Sequence, residues 1–201
     1  MTTKRRLVVF LRAPQRGAVK TRLARGIGAA AAWRFYRDTT RAVLRRVATP
    51  RWQTWLAVTP DSFARRGRFW DVRAGRFGQG RGDLGRRMAA PAFRWPGAEI
   101  VIVGSDIPGI EQRHIAEAFA ALENHDVVFG PATDGGYWLV GFARRWSRPS
   151  AMRRLFRDVR WSSDQALADT CRNAVGARVA LVTTLSDVDT IEDFAAWRRP
   201  G

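Results

Sequence analysis

E-I-V-I-V-G-S-D-I-P-G-I, residues 99–110, is the stretch on which the fold turns. Residues 100–103 are a continuous β-branched apolar run without polar alternation, the pattern of a strand buried on both faces inside a parallel sheet. Gly104, Ser105, Asp106, Pro108 and Gly109 end that strand, and a helix is expected from Glu111 onward. Open α/β sheets bind ligands in the crevice at the carboxyl ends of their strands, so Asp106 stands where a metal ion or polar substrate would be held. The competing reading is that Ser105 or Asp106 only caps the turn into the next helix.

Outward from this strand the same alternation recurs. Apolar runs over residues 7–11, 52–59, 70–77, 126–130, 137–142 and 178–183 read as strands. Helical spacing covers residues 29–47, 83–93, 115–122, 152–159 and 162–174, with Ser162 or Ser163 as a cap and a short helix running to Trp197. Leu84, Met88 and Phe93 form the buried side of the 83–93 helix. No repeat, linker or low-complexity segment interrupts the order, which predicts a single α/β domain over residues 1–201 with a mainly parallel sheet.

The composition, 46% hydrophobic and 26% charged over 201 residues, is that of a globular domain large enough to bury a core. The early apolar run is far shorter than the roughly 20 residues of a membrane span, and no small-residue cleavage site follows it, so a cytoplasmic protein without a membrane span is expected. Cys171 is the sole cysteine, and His114 and His125 are the only histidines. A thiolate or imidazole zinc site therefore lacks ligands, and any metal would be hard and oxygen-bound, Mg²⁺ or Mn²⁺ first. Neither histidine lies near a nucleophile elbow, which makes a hydrolase of the Ser-His-Asp kind the poorer reading.

The net charge of +17 favours anions in general. All 35 cations except Lys4 and Lys20 are arginine, and they are scattered over helices and loops rather than gathered in a tail. That dispersal speaks against specific nucleic-acid binding, although a nucleic-acid or anion-binding module is the alternative from another class. Of the nine tryptophans, Trp33, Trp52, Trp55, Trp95 and Trp197 are expected to pack in or near the core. Trp138 and Trp161 fall near the suspected cleft, where stacking on a base or sugar competes with packing.

After the first strand comes the loop 12–19, with Pro14 and Gly17, then Lys20, Thr21 and Arg22, then a helix. Strand, glycine-containing loop, cations and helix is the order of a phosphate cradle, although neither the Walker spacing nor a G-x-G-x-x-G fingerprint is present. The bland reading leaves Lys20 and Arg22 exposed and solvated. Gly78, Gly80 and Gly82 open a second glycine-rich loop, where Gln79 could read a base edge. Asp134, in a tight connection before residues 137–142, is a second carboxylate within reach of the first. Asp189, after the last strand, is a third, and with Glu192 it also fits a capping box.

Taken together, these blocks resemble the family of transferases associated with radical-SAM and selenodomain proteins, long catalogued as a domain of unknown function. The matching stretches are residues 10–23, 79–88, 104–109, 130–137, 161–163 and 187–190, in the family's order. The resemblance implies the three-layer α/β/α nucleotide-diphospho-sugar transferase fold, GT-A, and kinship with the guanylyltransferases for 2-phospho-L-lactate and for the molybdenum cofactor. It implies a metal-dependent transferase that takes a nucleotide sugar or an NTP and a small-molecule acceptor, moving either a glycosyl or a nucleotidyl group. Asp106 and Asp189 would hold Mg²⁺ or Mn²⁺. Ala13, Gly17, Lys20, Thr21, Arg22 and Ser105 would serve the nucleotide phosphates, and Gln79, Gly80 and Asp83 the base and ribose. Asp134 would face the acceptor as its general base or its anchor. Ile107 and Trp138 depart from the cysteine and tyrosine usual in the family, and neither change touches the carboxylates.

Overall fold

The structure, a computed structural model, describes residues 4–66, 69–70 and 72–199. Strands β1 (Arg5–Arg12), β2 (Gln53–Thr59), β3 (Gly75–Gly78), β4 (Glu99–Gly104), β5 (Val127–Pro131), β6 (Tyr137–Phe142) and β7 (Val179–Leu181) form one sheet in the order β3-β2-β1-β4-β6-β5-β7. β4 is the middle strand of the seven, as its unbroken apolar run requires. Residues 100–103 are no more than 3% exposed, and each such side chain contributes roughly 1.5–3 kcal/mol relative to exposure.

Helices α1 (Thr21–Ile27), α2 (Ala29–Arg46), α3 (Ser62–Arg66), α4 (Leu84–Arg94), α5 (Gln112–Ala121), α6 (Pro149–Leu155), α7 (Ala166–Asn173) and α8 (Ile191–Arg198) surround the sheet. The period-2 alternation of the strands sorts the core into two faces. Leu7, Val9 and Leu11 of β1 pack with Val43 and Leu44 of α2 and with Ile115 and Phe119 of α5. Val8 of the same strand joins Met88 and Ala92 of α4 and Met152 and Leu155 of α6 on the other face. The result is a three-layer α/β/α fold with a mostly parallel sheet. β6 alone runs antiparallel to its neighbours β4 and β5.

Several boundaries differ from the pattern reading, each for a local reason. The third strand is shorter and later than residues 70–77, beginning at Gly75; Asp71 of that stretch lies outside the described residues. α7 starts at Ala166, because Ser162 adopts a left-handed φ of 60° that a helix cannot include. Ser163 is not the cap either: its hydroxyl donates to the Arg160 carbonyl and accepts from the Gln165 N–H. α6 stops at Leu155, and Asp158 at φ 53° forbids its extension to residue 159. α1 was not legible, since it is short and is separated from α2 by Gly28 at φ 83°. Phe93, expected inside, is 58% exposed, with the Arg153 guanidinium 5.2 Å from its ring.

That contact is one of many. Arg94 lies 5.4, 5.2 and 5.6 Å from the centroids of Trp55, Phe77 and Trp95, and Arg16 and Arg37 lie 5.2 and 4.8 Å from that of Trp33. Guanidinium planes thus cover ring faces at the surface, which accounts for part of both the arginine excess and the tryptophan count. Trp52 and Trp70 are buried, whereas Trp197 is 50% exposed and rests on Phe35 and Phe194.

Two buried carboxylates fasten the β5 and α7 side. Burial pushes the Asp126 carboxyl up, but hydrogen bonds from the Arg178 N–H and from Arg145 outweigh this and hold it below the usual range. Asp169 accepts from Arg160 Nε and Nη2, both at 2.8 Å, from the Arg160 N–H at 3.1 Å and from Arg172 at 3.0 Å, which holds it lower still. A depressed folded pKa gives stability that is present above the unfolded value, about 4 for aspartate, and is lost as pH falls through the folded value. The melting temperature should therefore decline steadily below about pH 4. Asp169→Asn should lower the neutral-pH value and flatten the acid decline in a calorimetric pH series.

Candidate functional site

Strand direction decides which loops meet. β1, β2, β3 and β4 run parallel, β5 runs with them because β6 reverses between β4 and β5, and β7 is parallel to β5. The segments after β1, β2, β3, β4 and β7 therefore emerge at one edge, and so does the β5–β6 connection. This edge collects Lys20, Gln79, Ser105, Asp106, Asp134, Asp187 and Asp189. The order also reverses at β1, flanked by β2 and β4, the kind of switch point where α/β sheets open a crevice.

Lys20 is the centre of the edge. Its Nζ lies 2.9 Å from Asp106 Oδ2 and 3.5 Å from Asp189 Oδ1, and Arg22 Nη1 lies 3.2 Å from Asp189 Oδ2. The solvated-cation reading fails for Lys20, whose side chain is 3% exposed. Burial alone would lower its pKa. The charge and hydrogen bond of Asp106 and the charges of Asp189 and Asp187 outweigh that and raise it. The backbone of Lys20 is left-handed, φ 48°, ψ 48°, which ends the preceding loop and starts α1.

Neither carboxylate is a helix cap. Glu111 caps α5 in a reciprocal pair with His114, whose Nδ1 accepts from the Glu111 N–H at 3.2 Å, so Ser105 and Asp106 have no such duty. α8 is capped by Thr190 and Asp193 rather than by Asp189 and Glu192. Asp193 Oδ2 accepts from the N–H groups of Asp189 and Thr190, which leaves the Asp189 side chain to Lys20 and Arg22.

Two cavities meet at Asp106. One, of about 590 Å³, is walled by Arg12, Lys20, Thr21, Arg22, Arg87 and Asp189, with Gln79 and Ser105 behind them. The other, of about 380 Å³, lies toward α4 and α7 and includes Asp134 and Asp187. The loop at the mouth of the first is pinned by aromatic side chains. Tyr36 donates its hydroxyl to the Arg12 carbonyl and accepts from the Arg12 N–H, both at 2.8 Å, and Trp33 Nε1 donates to the Pro14 carbonyl at 2.6 Å. The N–H groups of Gln15 and Ala18 are used within the loop, and the cleft is walled by the cationic side chains of Arg12, Lys20, Arg22 and Arg87.

Some expected nucleotide contacts have other employment here. Ala13 is buried, donating its N–H to Thr59, and Gly17 forms an exposed turn at φ 76°; neither lines either of these two cavities. Gln79 is 5% exposed, and its amide donates to the Leu11 and Ala57 carbonyls and accepts from Arg87. It braces the sheet and aims Arg87, instead of offering an amide to a base edge. Asp83 caps α4 by accepting from the Arg86 N–H at 2.7 Å, and Gly80 donates to Asp61. Ser105 is buried, 3.5 Å from the Tyr36 hydroxyl. Arg12, Arg87 and Asp187 also line these cavities, and sequence reasoning misses them. A helical arginine and a strand-end arginine carry no local signature in so basic a chain.

The carboxylates suit a hard cation. Burial first, and then the like charges of Asp106, Asp134 and Asp189, push the Asp187 carboxyl up to about 6 in spite of Lys20. Lys20 and Arg22 pair with Asp106 and Asp189, and neither forms an ion pair with Asp187 or Asp134. Among the described residues no three His, Cys, Asp or Glu side chains form a complete cage. Asp106 and Asp189 could therefore hold Mg²⁺ or Mn²⁺ only with oxygens from phosphates and water completing the shell, which is the usual habit of Mg²⁺.

Lys20→Ala should cost about 1–3 kcal/mol, because a buried cation between two carboxylates is removed. Lys20→Gly should be about 1 kcal/mol less damaging than the alanine variant, because φ 48° strains any residue with a Cβ. Denaturant melts of the two variants and the parent separate the charge contribution from the backbone one.

Comparison with known proteins came to the same architecture. A structure from Desulfovibrio desulfuricans G20, described as a candidate nucleotide-diphospho-sugar transferase, superposes with a TM-score of 0.85 at 26% identity, covering 98% of this chain and 87% of that one. The 4-diphosphocytidyl-2C-methyl-D-erythritol synthase of Anaerococcus prevotii DSM 20548 has a TM-score of 0.62 at 10% identity, over 98% of this chain and 100% of that one. Rv0371c of Mycobacterium tuberculosis H37Rv, solved as a manganese complex, has a TM-score of 0.55 at 16% identity, over 96% and 97%. The last two show likeness of fold alone. No curated protein matches the chain. Residues 42–163 match the family described as an uncharacterized protein conserved in bacteria (DUF2064), and the chain belongs to that family.

Proposed function

We propose that the chain, acting as one unit, is a divalent-metal-dependent transferase that moves a glycosyl group from a nucleotide-diphospho-sugar to a small-molecule acceptor. The observation that carries this is Lys20 shared by Asp106 and Asp189 at the carboxyl edge, beside a cleft walled by Arg12, Arg22 and Arg87. A departing nucleoside diphosphate needs its developing negative charge neutralised, and preorganised cations do this without reorganisation. Lys20, Arg22, Arg12 and Arg87 bind and orient the diphosphate. Mg²⁺ or Mn²⁺ held by Asp106 and Asp189 would supply Lewis-acid stabilisation of the same leaving group.

In the transfer, the acceptor hydroxyl oxygen bonds to the anomeric carbon as that carbon's bond to the β-phosphate oxygen breaks. The nucleoside diphosphate leaves with the electron pair. Asp134, whose Oδ1 accepts from the Gly136 N–H at 2.9 Å, receives the hydroxyl proton or anchors the acceptor. The likeness to a candidate nucleotide-diphospho-sugar transferase supports this reading. Nucleotidyl transfer is the second reading, since the same cationic cleft suits a triphosphate and the resemblance of the motifs implies kinship with guanylyltransferases. There an acceptor phosphate oxygen bonds to the α-phosphorus and pyrophosphate leaves.

A thermal-shift panel of nucleotides and nucleotide sugars, with and without Mg²⁺, should give a metal-dependent rise. A ligand at about 100 times its dissociation constant adds roughly 2.7 kcal/mol. Asp106→Asn and Asp189→Asn should each abolish the metal-dependent part. A normal response in Asp106→Asn refutes the metal assignment, and release of pyrophosphate instead of a nucleoside diphosphate decides for the second reading.

A further inference from the structure

The two cavities that meet at Asp106 have opposite chemistry. The phosphate-side cleft presents Arg12, Lys20, Arg22 and Arg87. The smaller cavity, in a chain with 35 lysines and arginines, is lined by none of them and by no histidine. Asp106, Asp134 and Asp187 are its only charged lining residues. Phe10, Met88, Ile102, Tyr137, Trp138 and Trp161 make up most of its apolar and aromatic wall, with Ser162 and Ser163 at its edge.

These walls are built, not incidental. Trp138 is 4% exposed, with Nε1 donating to the Thr183 carbonyl at 3.0 Å, and its indole lies over Gly130, where a Cβ would come within 2.6 Å of the ring. Tyr137 stands edge-on between Phe129 and Trp161, at centroid distances of 5.1 and 6.4 Å. A volume of about 380 Å³ holds one ring-sized body.

We propose that this cavity receives the acceptor, and that the acceptor has an apolar, ring-sized body that carries no phosphate or carboxylate and presents a hydroxyl to the Asp134 side. The acceptor role rests on the transferase reading above. The charge class rests only on the cavity. An anion there would face Asp134 and Asp187 with no cation lining the cavity, since Lys20 is already engaged by Asp106, whereas a neutral or amine-bearing molecule would not be repelled. Because the cavity opens onto Asp106, its occupant lies next to whatever the cationic cleft holds. This arrangement weighs against a phosphorylated acceptor, and so against nucleotidyl transfer.

The test uses three ring-matched probes, 2-phenylethanol, phenethylamine and phenyl phosphate, in saturation-transfer NMR with the full chain. Mg²⁺ and excess inorganic pyrophosphate are present to fill the cationic cleft. Ring protons of the alcohol and the amine should receive saturation, and those of phenyl phosphate at least ten-fold less. Trp161→Ala should remove most of the alcohol signal. If that variant does not fold, Ser163→Trp, which fills the rim, gives the same readout. In Asp134→Asn/Asp187→Asn the phosphate probe should approach the alcohol.

Equal signals from phenyl phosphate and the alcohol in the parent overturn the proposal. So does an alcohol signal that is absent, or that the cavity variants leave unchanged. A flat response in the nucleotide thermal-shift panel would instead remove the transferase reading, while the probes would still decide the charge class of the occupant.

Discussion

The carboxyl edge of the sheet depends on one buried ammonium. Asp106 follows β4 and Asp189 follows β7, strands separated by β6 and β5, and Lys20 reaches both from the loop after β1. Without a cation the carboxylates converging there would repel, and the loops that carry them would splay. The left-handed backbone at Lys20 lets the chain end the loop, aim its side chain inward and begin α1 within one residue. Local strain and electrostatic attraction are thereby coupled at a single position. Sites that bind charge often hold such strain, because the surrounding structure over-determines it.

Around that point the sheet divides the edge into two chemistries. The parallel half, β3-β2-β1-β4, feeds its loops to the basic cleft, while the half entered through antiparallel β6 supplies the hairpin bearing Asp134. One reversal of direction is what brings that hairpin to the edge at all. Had β6 run parallel, the β5–β6 connection would have had to cross the sheet to the opposite end.

Much of this was legible in the residues, and what was not has physical causes. The apolar run at 100–103 placed the central strand because a strand buried on both faces has no room for polar alternation. Asp106 and Asp189 could be named from their strand-end positions, yet only the structure shows that Thr190 and Glu111 take over the capping. Gln79 misled because a glycine-rich loop looks the same whether its glutamine faces a ligand or braces the sheet. The sequence offers Lys20 as a cation of a phosphate cradle but not its ion pairs, because the carboxylates it meets lie 86 and 169 positions away. The short α1 and the late start of α7 were missed because single left-handed residues at 20 and 162 decide them, and no periodicity announces those.

The segment 132–136 is stitched on two sides. Leu185 donates its N–H to the Pro131 carbonyl and Thr133 bonds Ser186, while Leu167 donates to Gly135. At Gly135, φ 83°, any Cβ would collide with the Asp164 backbone. The hairpin is thus docked against the approach to α7 with no slack. Surface loops ordinarily accept insertions at little cost, and that is how many folds acquire new substrates. Here lengthening would undo both dockings at once. A new occupant of this wall is therefore reached by side-chain exchange on a fixed backbone, whereas a change of loop length belongs elsewhere on the rim.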